Sequence, residues 1–243
     1  MDPFSPCAGQ RSLELAGRSK LIEANVLAMR RALANRPFRS IMFLGSRGTG
    51  KTVLLNELGK KAKDLGFIVS RLEAAEDADL ATLLYPEMTK VMRSLSTVER
   101  AKALSLRTLG ILRNFASILK IEVVEVDIRI EPTLGIADTG YLETDLPELF
   151  ENIGEATQMA EKGWAIFLDE AQYLTKQDLS ALIVSMHRIS QLGYPVILFG
   201  AGLPLLAGLA GEAKSYAERL FMYYNIDALD PMATADAIHP EGD

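Results

Sequence analysis

Cysteine is almost missing from this 243-residue chain. Cys7 stands alone, which excludes an internal disulfide and makes a reducing, cytoplasmic setting the natural expectation. Histidine is nearly as scarce: His187 and His239 lie far apart without ligand spacing, so a zinc site is not expected. Positive charge is in deficit, with 26 Lys and Arg against 32 Asp and Glu. The net charge of −6 gives no electrostatic footprint for nucleic acid. The opening Met1-Asp2-Pro3-Phe4-Ser5-Pro6 lacks both a basic and an apolar region, so it does not read as a secretory signal. One uncharged stretch, Ile189 to Gly211, is long enough to cross a bilayer. It holds Pro195, Pro204 and five glycines, and its apolar core Val196-Ile197-Leu198-Phe199 is only strand-sized. A buried strand, a loop and a short helix are expected there, and no membrane partner. What remains is an ordinary globular composition, 49% hydrophobic and 24% charged. The length suits one large α/β domain or two small ones.

The chain is organised around Gly45-Ser46-Arg47-Gly48-Thr49-Gly50-Lys51-Thr52. The apolar run Ile41-Met42-Phe43-Leu44 precedes it, and Val53-Leu54-Leu55-Asn56-Glu57-Leu58 follows. Strand, glycine-rich loop and helix form the context that the phosphate-binding pattern G-x-x-x-x-G-K-[ST] requires. Glycines let the main chain bend round phosphates with its N–H groups inward, and the helix start adds positive dipole. In such a loop Lys51 reaches the β- and γ-phosphates of a nucleotide, and the Thr52 hydroxyl ligates Mg²⁺.

Along the chain, residues 1–12 read as a loose tail. Leu21, Ile22, Val26, Met29 and Leu33 mark an amphipathic helix ending near Asn35, and Pro37 breaks it. Strands are expected near 40–44, 67–72, 164–169, 195–199 and 220–226. Helices are expected from the loop to about Leu65, over 79–119 in two stretches, over 146–162, 176–192 and about 203–218. Asp145 is the expected N-cap of the 146–162 helix, with Pro147 in its first turn. The β-branched alternation from Ile121 to Ile130 predicts half of a hairpin completed before Gly140. Alternating strands and helices call for a parallel sheet covered on both faces.

The buried strand Trp164-Ala165-Ile166-Phe167-Leu168 ends in Asp169-Glu170. A carboxylate at the C-terminal end of such a strand lies beside the phosphate loop. Asp169 fits the acid that holds Mg²⁺, and Glu170 the base that polarises an attacking water. The plain alternative is a pair of acids starting a helix.

With these pieces in place the chain resembles an AAA+ ATPase module, of the branch shared by origin-recognition/Cdc-type initiators and STAND-like bacterial and archaeal AAA ATPases. The matching segments are Leu15-Ala16-Gly17-Arg18, Gly45 to Thr52, Phe167-Leu168-Asp169-Glu170-Ala171-Gln172, Leu198 to Pro204, and Ser215 to Phe221. The resemblance implies a three-layer α/β/α P-loop NTPase with a five-stranded parallel sheet of order 5-1-4-3-2. Extra helices and the hairpin would be inserted between strands 2 and 3. It implies a 13–230 nucleotide-binding core with a 77–141 insert, and a lid domain of which only 231–243 is present. It implies Mg²⁺ and ATP as ligands, the ATP hydrolysed to ADP and phosphate, with Leu15 and Arg18 near the adenine; the alternative for Leu15 to Arg18 is an ordinary helix entry. Glu170 and Lys51 would be catalytic. Arg219 lies where relatives present an arginine finger, which acts in trans within a homo-oligomer; its alternative is a helix-end arginine paired with Glu212 or Glu218.

Two departures from the family pattern stand out. The polar sensor expected at the end of the fourth strand falls within Gly200-Ala201-Gly202, which offers main chain only, so Gln172 becomes a candidate to position water. The lid and its sensor arginine are not seen. These departures keep a second function open, an ATP-gated interaction module that contacts a protein partner through 77–141; the plain alternative for that insert is extra packing against the sheet, since long inserts cost little. Phosphoryl transfer to a small molecule is disfavoured by Glu170.

Overall fold

The structure is a computed structural model that describes residues 17–76, 79–121 and 131–227. The expected tail over 1–12, Leu15, the first half of the hairpin and the 231–243 lid segment lie outside the described residues.

Five strands form one parallel sheet: β1 (Ser40–Leu44), β2 (Phe67–Glu73), β3 (Gly163–Asp169), β4 (Val196–Gly202) and β5 (Phe221–Asn225). Their order is β2-β3-β4-β1-β5, the expected 5-1-4-3-2 read from the other edge. The three central strands are buried along their whole length, which is why each reads as an apolar run rather than an alternation. Within β1 the side chains still divide. Ile41 and Phe43 face one core, and Met42 and Leu44 face the other.

The first core lies under α1 (Ser19–Leu33) and α2 (Lys51–Asp64), which contribute Met29, Ala32, Leu54, Leu58 and Ala62. The second lies under α3 (Leu80–Leu95), α4 (Glu99–Ile118), α5 (Leu142–Met159), α6 (Lys176–Leu192), α7 (Leu206–Ala213) and α8 (Ala217–Leu220). Helices on both faces of the sheet make the three-layer α/β/α fold. Trp164 anchors the larger core. It is fully buried, sets its edge against Phe150 at 5.1 Å, and donates from its indole N–H to Ser70 Oγ at 3.0 Å. α3 and α4, the helices of the expected insert, place Leu84, Met88, Ile111 and Phe115 in this core.

Four details differ from the sequence expectations. α5 begins at Leu142, not after Asp145, because Tyr141 holds the extended N-cap conformation. Asp145 therefore sits inside the helix, and its buried carboxylate reaches back to the preceding loop. It accepts from Thr139 N at 3.1 Å, Thr139 Oγ1 at 2.7 Å and Gly140 N at 2.9 Å. β4 continues through Gly200-Ala201-Gly202, which pairs with Met42, Phe43 and Leu44 of β1; main-chain bonding alone extends the strand. The expected 203–218 helix is two, α7 and α8, parted where Lys214 turns extended. Residues 131–141 carry no strand, so no second half of a hairpin is found there among the described residues. No helix among the described residues is long and apolar enough to cross a membrane.

Candidate functional site

At the C-terminal edge of the sheet the chain leaves β1 at Leu44, makes a tight loop and enters α2. Two features of the loop require glycine. Gly48 and Gly50 both adopt φ of +78°, the left-handed region that costs other residues roughly 1–2 kcal/mol. Gly45 lies against the Ile226 carbonyl, where a Cβ would collide with main chain, and its N–H donates to the Gly202 carbonyl at 3.1 Å. The loop is thus bound to the tips of β4 and β5 as well as to its own strand. Thr49 Oγ1 adds an internal bond to the Ser46 carbonyl at 3.0 Å.

Lys51 opens α2 and is buried. Its ammonium donates to the carbonyls of Gly45 and Ser46, both at 2.8 Å. Two of its three protons hold the loop's shape, and the third remains for a ligand. Thr52 Oγ1 donates to Asp169 Oδ2 at 2.6 Å. The other carboxylate oxygen, Asp169 Oδ1, accepts from Glu170 N at 2.9 Å. A hydroxyl and a strand-end carboxylate so close together are an oxygen donor pair of the kind Mg²⁺ takes.

Glu170 follows with φ +52° and ψ +34°, a left-handed turn that ends the strand and starts a short 3₁₀ turn, Ala171–Tyr173. Gln172 Nε2 donates to Glu170 Oε2. Gln172 Oε1 accepts from Leu203 N at 3.1 Å. Tyr173 accepts a bond from the Arg47 guanidinium of the loop at 2.7 Å. Sequence reading missed Tyr173. Its contact depends on the 3₁₀ turn, which no local pattern announces.

The buried Arg18 lies one residue before α1 and grips the loop from the other side. Its guanidinium donates to the Thr49 carbonyl at 2.6 Å, to Gly50 at 3.3 Å and to the Asp227 carbonyl at 3.3 Å. This places Arg18 against the loop's main chain and the tip of β5.

Residues 45–52, Asp169, Glu170 and Arg18 are therefore brought together. Arg219 is not. It is exposed on α8, immediately before β5, and β5 begins beside Ser40 at the opposite edge of the sheet. A five-residue strand separates it from the loop, about 16 Å at 3.3 Å per residue. Among the described residues it forms no ion pair with Glu212 or Glu218.

A glycine-built loop between strand and helix, with a buried lysine and a neighbouring strand-end aspartate, defines a P-loop nucleotide-binding protein. The AAA ATPase domain family matches residues 14–199, and the chain belongs to that family. It is an ATP-binding protein of the AAA+ type. Among solved structures the chain is similar to the Orc1 protein of Aeropyrum pernix in complex with DNA. That likeness has 14% identity and a TM-score of 0.49, covering 95% of this chain and 52% of that one. It is also similar to Cdc6p from Pyrobaculum aerophilum, with 18% identity and a TM-score of 0.49, covering 91% and 48%. The chain thus spans about half the length of these two proteins. No curated protein matches it in sequence.

Proposed function

We propose that this protein hydrolyses Mg²⁺-ATP to ADP and phosphate, as an assembly-dependent molecular switch, with residues 13–230 acting as one nucleotide-binding unit. The observation that carries the reading is the 2.6 Å contact between Thr52 Oγ1 and Asp169 Oδ2. It joins residues 117 apart in sequence into one oxygen donor set at the mouth of the loop.

The loop amides and the free proton of Lys51 hold the β- and γ-phosphates. Thr52 and Asp169 hold Mg²⁺, which when bound neutralises charge on the phosphate oxygens. Arg18 keeps the Thr49-Gly50 turn in shape from behind. In the chemical step the water oxygen bonds to the γ-phosphorus while the bond to the β–γ bridging oxygen breaks. The water's proton passes to the Glu170 carboxylate, and ADP leaves with the bridging oxygen. Arg219 stands at the end of β5 remote from its own phosphate loop. It serves the γ-phosphate of a neighbouring copy, where a guanidinium stabilises transition-state charge.

Phosphate release by the parent and by Glu170→Gln tests this. The variant is expected to bind ATP as the parent does and to lose turnover by at least about a hundredfold, a general base contributing roughly 10²–10⁴-fold. Equal turnover would remove Glu170 from the role of base.

A second reading has its own support. Leu134 and Tyr141, in the loop between α4 and α5, are 73% and 75% exposed. Large apolar side chains presented this way suit a protein partner docking on the 77–141 region, with ATP setting the contact and being hydrolysed rarely. Tight ATP binding without phosphate release at high protein concentration would favour this reading over the first.

A further inference from the structure

The end of β4 carries no side chain able to orient a water, because Gly200 and Gly202 offer main chain only and Ala201 a methyl group. The space beside Gly202 is nevertheless filled by a polar group. A Cβ on Gly202 would meet Gln172 Oε1 at 2.7 Å. The half-buried Gln172 carboxamide therefore occupies the place that a β4 side chain would otherwise take. It is fixed at both ends, accepting from Leu203 N at 3.1 Å and donating to Glu170 Oε2.

Resting on the hydrolytic reading above, we infer that Gln172 is the positioning residue for Glu170, through a carboxamide that the neighbouring turn sets against Gly202 at the tip of β4. Its oxygen is anchored to main chain at the tip of β4. Its nitrogen therefore stands at a fixed point and holds one carboxylate oxygen of Glu170, leaving the other to take the proton of the attacking water. Glu170 lies one residue beyond the last β2–β3 pair, Glu73 with Asp169, and the carboxamide is what holds its side chain. The tip of β4 is also bonded to the loop through Gly45 N and the Gly202 carbonyl. Phosphate loop, β4 tip and base thus form one connected hydrogen-bonded chain, through which a displaced loop moves the base.

The test compares steady-state turnover, ATP affinity and thermal unfolding for the parent and for Gln172→Ala, Gln172→Glu and Gln172→Ala/Gly202→Ser. Gln172→Ala is expected to lower kcat by about 10–100-fold with ATP affinity unchanged, since the phosphate loop keeps its own bonds. Gln172→Glu sets a second carboxylate against Glu170. Its pH–rate profile is expected to move its acid limb upward, because one of two adjacent carboxylates is held protonated to higher pH. The double variant sets a hydroxyl at the tip of β4 where the carboxamide stood, the Leu206 methyl at 2.9 Å from the new Cβ giving way, and is expected to recover part of the lost kcat, which a purely structural defect would not. An active parent with undiminished or raised kcat in Gln172→Ala overturns this inference alone. So does a folded Gln172→Ala variant that loses ATP affinity in step with kcat. A parent without turnover at any protein concentration overturns the hydrolytic reading and takes this inference with it.

Discussion

At the scale of single residues, the carboxylates show how a charge can be placed under the surface. Asp145 is fully buried and accepts three hydrogen bonds from Thr139 and Gly140. A hydrogen bond to a charged group contributes about 1.5–3 kcal/mol, and the donors on Thr139 and Gly140 regain water in part when the carboxylate is removed, so Asp145→Ala is expected to destabilise the fold by about 2–4 kcal/mol. Chemical denaturation reads this directly, and an unchanged midpoint would contradict the assignment. Asp169 uses both its oxygens in the same manner, on Thr52 and on the Glu170 amide. That contact was legible in sequence only as adjacency to a phosphate loop. Asp145 departs from the N-cap expectation for a physical reason. An aspartate two residues before a proline satisfies every local rule for an N-cap, yet Leu142-Glu143-Thr144 turn helical before it and leave its side chain free to grip the loop behind.

At the scale of elements, the strands declared themselves best. Ile41 to Leu44 and Trp164 to Leu168 are apolar without interruption because helices cover both faces. Contacts between elements were the illegible part. Gln172 meets Leu203 across 31 residues and Arg47 meets Tyr173 across 126, and neither separation leaves a periodicity to read. Another such contact joins α5 to the turn between α7 and α8. Glu143 accepts from Lys214 at 2.5 Å and from Ser180 at 2.9 Å. These bonds hold the Glu143 carboxyl below its ordinary 4.5, Lys214 first and Ser180 second. A depressed carboxyl stabilises the fold above its ordinary value, and the contribution is lost as pH falls through the folded one. With side chains 48% and 28% exposed, solvent screening keeps the pair to about 0–1 kcal/mol. Glu143→Gln is expected to melt slightly below the parent at pH 7, with the gap closing as pH falls below 4.5. A gap that widened in acid would reverse the sign.

At the scale of the whole molecule, the sheet keeps two sets of charged residues apart. The phosphate loop, Asp169 and Glu170 share the C-terminal edge, while Arg219 stands exposed at the other. The proposed role of Arg219 is action on a neighbouring copy. Specific activity is expected to rise with protein concentration, and Arg219→Ala is expected to lower turnover by about a hundredfold or more while ATP affinity holds. Turnover per molecule that stays flat with concentration, together with an unaffected variant, would leave Arg219 as an ordinary surface charge. Family resemblance supplied the strand order, since hydrophobic runs locate strands without saying which lie side by side.

Every role proposed for these residues depends on the phosphate loop being a nucleotide site, and equilibrium titration of ATP in the presence of Mg²⁺ measures that directly. The parent is expected to bind one ATP per chain, and Lys51→Ala to bind at least about tenfold more weakly, the loss of one charge-assisted hydrogen bond being worth about 1.5–3 kcal/mol. Equal affinity of parent and Lys51→Ala, or no saturable binding by the parent, would contradict it.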